Sequence, residues 1–105
     1  MKIAITSTGD TLTATLDSRF GRCPYFAIYD MDTDQAEFVQ NPNKESNSGA
    51  GPASAQLIAS LGVKKIISGE FGGKVKTILE SLQIQMILID EHGKSIQDIL
   101  SLMNE

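Results

Sequence analysis

The segment VKKIISGEFGGKVKTILESLQIQMILID, residues 63–90, decides the fold. Val63 to Ser68 is short and carries the β-branched Val63, Ile66 and Ile67, which predicts a strand. Gly69-Glu70-Phe71-Gly72-Gly73 then turns the chain into a helix whose Val75, Ile78, Leu79 and Leu82 follow the i, i+3, i+4, i+7 spacing. Ile84 to Ile89 is almost continuously apolar, as expected of a parallel strand covered on both faces. A strand, a helix and a second strand in this order imply a right-handed parallel crossover.

Working outward, Ser95-Ile96-Gln97-Asp98 resembles a capping box that opens a last helix with Ile96, Ile99, Leu100 and Met103 as its buried stripe. Toward the N-terminus, residues 2–7 and 25–30 predict two strands, and Ala36 to Gln40 a third that closes a hairpin over Asp32-Thr33-Asp34. Residues 41–51, rich in Asn, Ser, Pro and Gly, form a loop. A helix starts at Pro52, a favoured first helical residue, runs to Leu61 and stops at Gly62. The predicted order is β-β-β-α-β-α-β-α, an α/β fold with a mixed sheet, and no linker or repeat divides residues 1–105, which form a single domain.

The chain has 105 residues, is 41% hydrophobic and 21% charged, and carries a net charge of −4. That acidity argues against broad binding to nucleic acid or to an anionic membrane surface. The run after Met1 is too short for a signal peptide and no later stretch approaches a membrane span, so the expected location is cytoplasmic. A single cysteine excludes an internal disulfide and leaves a reduced thiol as the default.

That cysteine lies in Arg19-Phe20-Gly21-Arg22-Cys23-Pro24-Tyr25-Phe26. Fixed positive charge beside a thiol favours the thiolate, the form that binds soft metals, so Cys23 is a candidate metal ligand with Arg19 and Arg22 as electrostatic supports. One thiolate does not complete an iron-sulfur site, which normally has about four protein ligands. His92, a second subunit, or ligands carried by the cluster itself would have to supply the rest. The competing reading packs Cys23 against Tyr25 and Phe26 and leaves both arginines in solvent.

Other motifs carry less. Gly49-Ala50-Gly51-Pro52-Ala53-Ser54 has Ser54 where a dinucleotide fingerprint needs its third glycine, and Gly72-Gly73-Lys74-Val75 has Val75 where a P-loop needs Ser or Thr. Asp10, Asp17 and Glu70 form no paired-carboxylate motif, and no nucleophile-base pair is visible, which argues against an enzyme. In open α/β sheets ligands bind outside the carboxyl ends of the parallel strands. The Ser7-Gly9 and Gly69-Gly73 loops belong at that edge, and the arginine-cysteine segment is expected to converge on it. Gly49, Gly51, Gly69 and Gly72 would let backbone approach a ligand closely.

Taken in order, Met1-Lys2-Ile3-Ala4-Ile5, residues 17–26, Asn41-Pro42, Gly49-Ala50-Gly51, Leu61-Gly62-Val63 and Gly69 with Gly72 resemble the dinitrogenase iron-molybdenum cofactor-binding domain family. This is the NifX-like domain also found at the end of NifB, and the likeness spans nearly the whole chain. It implies a ribonuclease H-like three-layer fold with three helices and a five-stranded mixed sheet whose second strand is antiparallel. It also implies a binding or carrier role for an iron-sulfur or iron-molybdenum type cluster, received from or delivered to a donor or acceptor protein, by a monomer or homodimer. Family members that handle the nitrogenase cofactor commonly have a histidine at the position of Arg19, so this chain lacks that ligand; Cys23 could replace it, and Arg19 either pairs with an anionic cluster or anchors the loop. The alternative function is a regulatory or interaction module that binds a phosphorylated metabolite or a protein partner without metal.

Overall fold

A computed structural model describes residues 1–44, 49–89 and 93–103. Five strands, β1 (Lys2–Ser7), β2 (Tyr25–Asp30), β3 (Gln35–Gln40), β4 (Val63–Ser68) and β5 (Gln85–Leu88), alternate in the second half with helices α1 (Ala50–Ser60), α2 (Gly73–Ser81) and α3 (Ile96–Met103). The sheet order is β3-β2-β1-β4-β5. β2 runs antiparallel to both of its neighbours, whereas β4 and β5 continue parallel to β1. This is the ribonuclease H-like arrangement that the family resemblance implies.

Alternation along the strands builds the three layers. Ala4, Phe26, Ile28 and Ile66 face one way and pack with Ala55 and Ile58 of α1 and with Val75 and Leu79 of α2. Ile3, Ile5, Ala27, Tyr29 and Ile67 face the other way and meet Ile96, Ile99 and Leu100 of α3. β1 and β4 sit inside the sheet, with Ile3, Ala4 and Ile5 of β1 and Ile66 and Ile67 of β4 supplying apolar residues to both faces.

Two boundaries differ from expectation. α1 starts at Ala50 rather than Pro52, because Gly49 takes a left-handed φ of 74° and its carbonyl accepts the Ala53 N–H at 3.0 Å. Pro52 is then the third helical residue, where a missing N–H still costs no intrahelical bond. β5 is a four-residue edge strand with exposed ends and not a strand covered on both faces: Met86 and Ile87 are only half buried, and Leu88 is 61% exposed. No helix among the described residues is long and apolar enough to cross a membrane.

The capping box of α3 forms as predicted: the Ser95 hydroxyl accepts the Asp98 N–H at 3.0 Å and the Asp98 carboxylate accepts the Ser95 N–H at 3.3 Å. Backbone carbonyls of the β1–β2 connection complete it. Leu12 and Ala14 accept the N–H groups of Gln97 and Ile96 at 3.0 and 2.9 Å.

α1 and α2 approach so closely that a Cβ built on Gly51 lies 2.5 Å from Cγ2 of Val75. Val75 is buried and β-branched, so it has little freedom to yield. Gly51→Ala should therefore cost about 1–3 kcal/mol by overpacking. In Gly51→Ala/Val75→Ala the loss should fall short of the sum of the single losses by roughly 1 kcal/mol, read from denaturant midpoints as a double-mutant cycle.

Candidate functional site

The carboxyl ends of β1 and β4 and the start of β2 meet at one end of the sheet. The connection that carries Asp17 to Cys23 crosses this end, held from below by Thr6, whose hydroxyl donates to the Asp17 carbonyl at 2.6 Å. Arg19 forms an isolated parallel bridge with Glu70, and a Cβ on Gly69 would lie 2.6 Å from Cα of Ser18. The arginine-cysteine segment and the Gly69 loop therefore do converge.

Asp17 is buried and accepts three hydrogen bonds from one residue: the Arg19 backbone N–H at 2.8 Å, and Nε and Nη2 of its guanidinium at 3.1 Å each. This orients the guanidinium, which stays 57% exposed, and leaves Nη1 without a partner among the described residues. The hydrogen bonds and charge of Asp17 also raise the Arg19 pKa, so its charge is permanent. Arg22 is half buried, and one of its hydrogen bonds goes from Nη1 to the Lys44 carbonyl at 3.3 Å.

The second holding point is Asn41, just beyond β3. Its Nδ2 donates to the Gly21 carbonyl at 3.0 Å and to the Cys23 carbonyl at 2.9 Å. Its Oδ1 accepts the Asn43 N–H at 3.0 Å and the Ser54 hydroxyl, from α1, at 3.4 Å. A buried amide with every group paired is a rigid tie. Neither Asn41 nor Ser54 was singled out as a site residue from sequence; a polar pair bounding a Gly-rich loop was the only available signal. Gly21, with φ 98°, completes the tie, since a Cβ there would lie 2.9 Å from Cα of Gly51.

Cys23 departs from the sequence expectation. Its side chain is fully buried among Phe20, Phe26, Ala55 and Ile58, and burial pushes its pKa up from 9.0 to about 12. The nearby Asp17 charge adds to this, while hydrogen bonds from the Ser7 and Gly21 backbone and from Asn41 act in the opposite direction. Arg19 is held by Asp17 and one Arg22 hydrogen bond goes to the Lys44 carbonyl, and burial dominates at Cys23, so the thiol and not the thiolate is the resting form. Among the described residues no three His, Cys, Asp or Glu side chains group to hold a metal ion. His92 lies outside the described residues.

The glycines divide into two pairs. The space that Gly51 and Gly69 leave open is filled by Val75 and Ser18, so these two serve close packing inside the protein and not the approach of a ligand. Gly49 and Gly72 have nothing near the position of a Cβ and are the N-caps of α1 and α2, both without a side-chain cap. The first N–H groups of both helices, only those of Ala50 and Gly51 in α1 because Pro52 has none, are unpaired among the described residues.

A family model described as dinitrogenase iron-molybdenum cofactor matches residues 1–105. The chain belongs to that family. The apo form of the orange protein from Desulfovibrio gigas superposes with a TM-score of 0.90 at 30% identity, covering 98% of this chain and 86% of that one. A candidate NifB protein from Thermotoga, assigned to the DUF35 family, superposes with a TM-score of 0.83 at 26% identity over 98% of this chain and 86% of that one. An uncharacterized protein of Methanocaldococcus jannaschii is 32% identical over 74 residues, which is 68% of this chain and 63% of the relative. The match thus spans less than two thirds of that relative.

The Cys23 environment makes a pH prediction. A thiol that ionises near 9 when unfolded and near 12 when folded binds more protons in the native state between those values. Its contribution is complete below pH 9 and falls by roughly 1.4 kcal/mol per unit as pH rises toward 12. The stability difference between wild type and Cys23→Ala, from urea titrations at each pH, should shrink across that window and be flat below it. In native protein at pH 8 the thiol should also resist alkylation until denaturant is added.

Proposed function

We propose that this protein binds a preassembled, anionic metal cluster of the iron-sulfur or iron-molybdenum type at the carboxyl edge of its sheet, as a carrier between a donor and an acceptor protein. The observation that carries this reading is the juxtaposition, at that edge, of two uncapped helix N-termini with the exposed, preoriented guanidinium of Arg19. Arg22 and the exposed Lys74, second residue of α2, add positive charge. Family membership supports the class of cargo, and a relative solved in an apo form is one that also has a loaded form.

The donor set fits one kind of cluster better than another. With a buried thiol and no chelating group among the described residues, the site suits a cluster that brings its own terminal ligands and is held by charge-assisted hydrogen bonds. Direct ligation by Cys23 requires the segment around Gly21 to lift from Asn41. Gly49 and Gly72 serve the site by leaving helix N–H groups open, a role a Ser or Asp cap would block. Nothing in this reading requires bond making by the protein; its role is to bind and release.

Metal and sulfide content and the visible spectrum of protein prepared without oxygen test the proposal. Wild type should hold iron with sulfide-to-iron charge-transfer bands, and Arg19→Gln/Arg22→Gln should lower retention by at least about tenfold, with added salt acting in the same direction. Retention in Cys23→Ser assigns the hold to the charged rim; loss with the fold intact assigns Cys23 as a ligand. A colourless protein that refuses reconstitution overturns the reading and favours a phosphorylated metabolite at the same helix ends.

A further inference from the structure

The two edges of the sheet are not alike. β3 exposes Gln35, Ala36 and Glu37 and follows the acidic turn of Asp32 and Asp34, the kind of charge that keeps an edge strand from pairing with another copy. β5, Gln85-Met86-Ile87-Leu88, carries no charge and no proline. Its terminal residue, Leu88, is the most exposed of the large hydrophobic side chains.

The ladder fixes which backbone groups of β5 face outward. Ile89 donates to the Ser68 carbonyl at 3.1 Å, so residues 85, 87 and 89 point toward β4, and the N–H and C=O groups of Met86 and Leu88 point away from the sheet. The Ile84 N–H is already bound to the Leu79 carbonyl at 2.9 Å. No described residue pairs with the outward groups of Met86 or Leu88.

We infer that β5 is a homodimer interface in which a second copy of this chain pairs antiparallel with the first about a two-fold axis at Ile87. This register is singled out by the ladder: with Met86 opposite the partner's Leu88, and Leu88 opposite the partner's Met86, all four outward N–H groups of the two strands find carbonyls. A shift of one residue sets Met86 and Leu88 opposite residues whose N–H and C=O groups face β4, and these bonds are lost. The same register sets Met86 against Leu88 on the α2 side of the sheet and Ile87 against its own copy on the α3 side, apolar pairs in which no like charges face each other, and brings the uncharged Gln85 opposite Ile89 at either end. Self-pairing of β3 has no such match, because Glu37 would meet an acidic edge.

The interface is short, four residues from each copy, so association is weak and concentration-dependent. It also fixes where the two carboxyl edges lie. Antiparallel pairing across β5 turns them to opposite ends of a ten-stranded sheet, so each copy keeps its own site and no ligand is shared between subunits. This inference is independent of what that site binds.

Sedimentation equilibrium of the full chain, from micromolar to millimolar, tests it. A reversible monomer–dimer equilibrium is expected, weakened at least about tenfold by Leu88→Lys. Leu88→Pro should weaken it similarly while leaving the fold intact, because the proline removes only an outward-facing N–H. Ala36→Lys, on the other edge, should leave the equilibrium unchanged. The register has its own readout: Ile87→Cys should form a disulfide-linked dimer on mild oxidation, since directly opposed residues of a non-hydrogen-bonded pair have Cα atoms about 4.5 Å apart, and Leu88→Cys should not. A chain that stays monomeric at millimolar concentration, or a dimer indifferent to Leu88→Pro, overturns the assignment.

Discussion

The Asn41 carboxamide is the interaction on which the carboxyl edge depends. It binds carbonyls on both sides of Arg22, at Gly21 and Cys23, and reaches Ser54 in α1, so the loop after β1, the exit of β3 and the first helix share one buried anchor. Without it the Cys23 carbonyl loses its donor, at about 1–3 kcal/mol, and the Gly21 carbonyl keeps only the longer bond from the Ser54 hydroxyl at 3.4 Å. The tie also sets what lies above and below. It holds Arg22 outward and Cys23 inward, and it keeps Gly21 against Gly51 at the start of α1.

From this arrangement follows a division of labour that adjacency in sequence conceals. Arg22 and Cys23 are neighbours in the chain, yet one reaches the Lys44 carbonyl and the other enters the core. Burial outweighs the positive charge of the loop at the thiol, and the charge of Asp17 raises its pKa further. Asp17 in turn commits its carboxylate to Arg19, so the edge gains an oriented guanidinium, with the exposed Glu70 as its backbone-bridge neighbour. Orientation by a buried acid makes Arg19 a more rigid donor than its exposure alone would indicate.

The fold was legible because it rests on local periodicity. Val75, Ile78, Leu79 and Leu82 mark one helix face, and residues 2–7 and 63–68 read as strands from their own composition. The identity of the edge strand was not legible from Ile84 to Ile89, since apolar content does not say whether a neighbour is present on the far side. The convergence at the carboxyl edge was legible in outline: the segment that carries Arg19 meets the Gly69 loop, while the inward turn of Cys23 was not readable from its neighbours. The roles that went unread are long-range. Asn41 meets its partners 18 and 20 residues away, and Gly51 meets Val75 across two elements, so no window of sequence contains either contact.

The three helix starts show that openness at the carboxyl edge is selective. α3 is closed twice over, by its own Ser95 and Asp98 and by the Leu12 and Ala14 carbonyls. α1 and α2 start instead at Gly49 and Gly72, which offer no side-chain acceptor. Replacing a capping side chain by glycine costs only a few tenths of a kcal/mol, whereas an alanine costs about 1. Glycine therefore leaves the N–H groups open at almost no loss of stability, and its Cα alone does not obstruct approach to them. Ser, Asp or Asn at either position would satisfy the helix and close it to an external anion. The fold spends capping residues on the helix start that faces its own loop and withholds them from the two that lie beside Arg19 and Arg22.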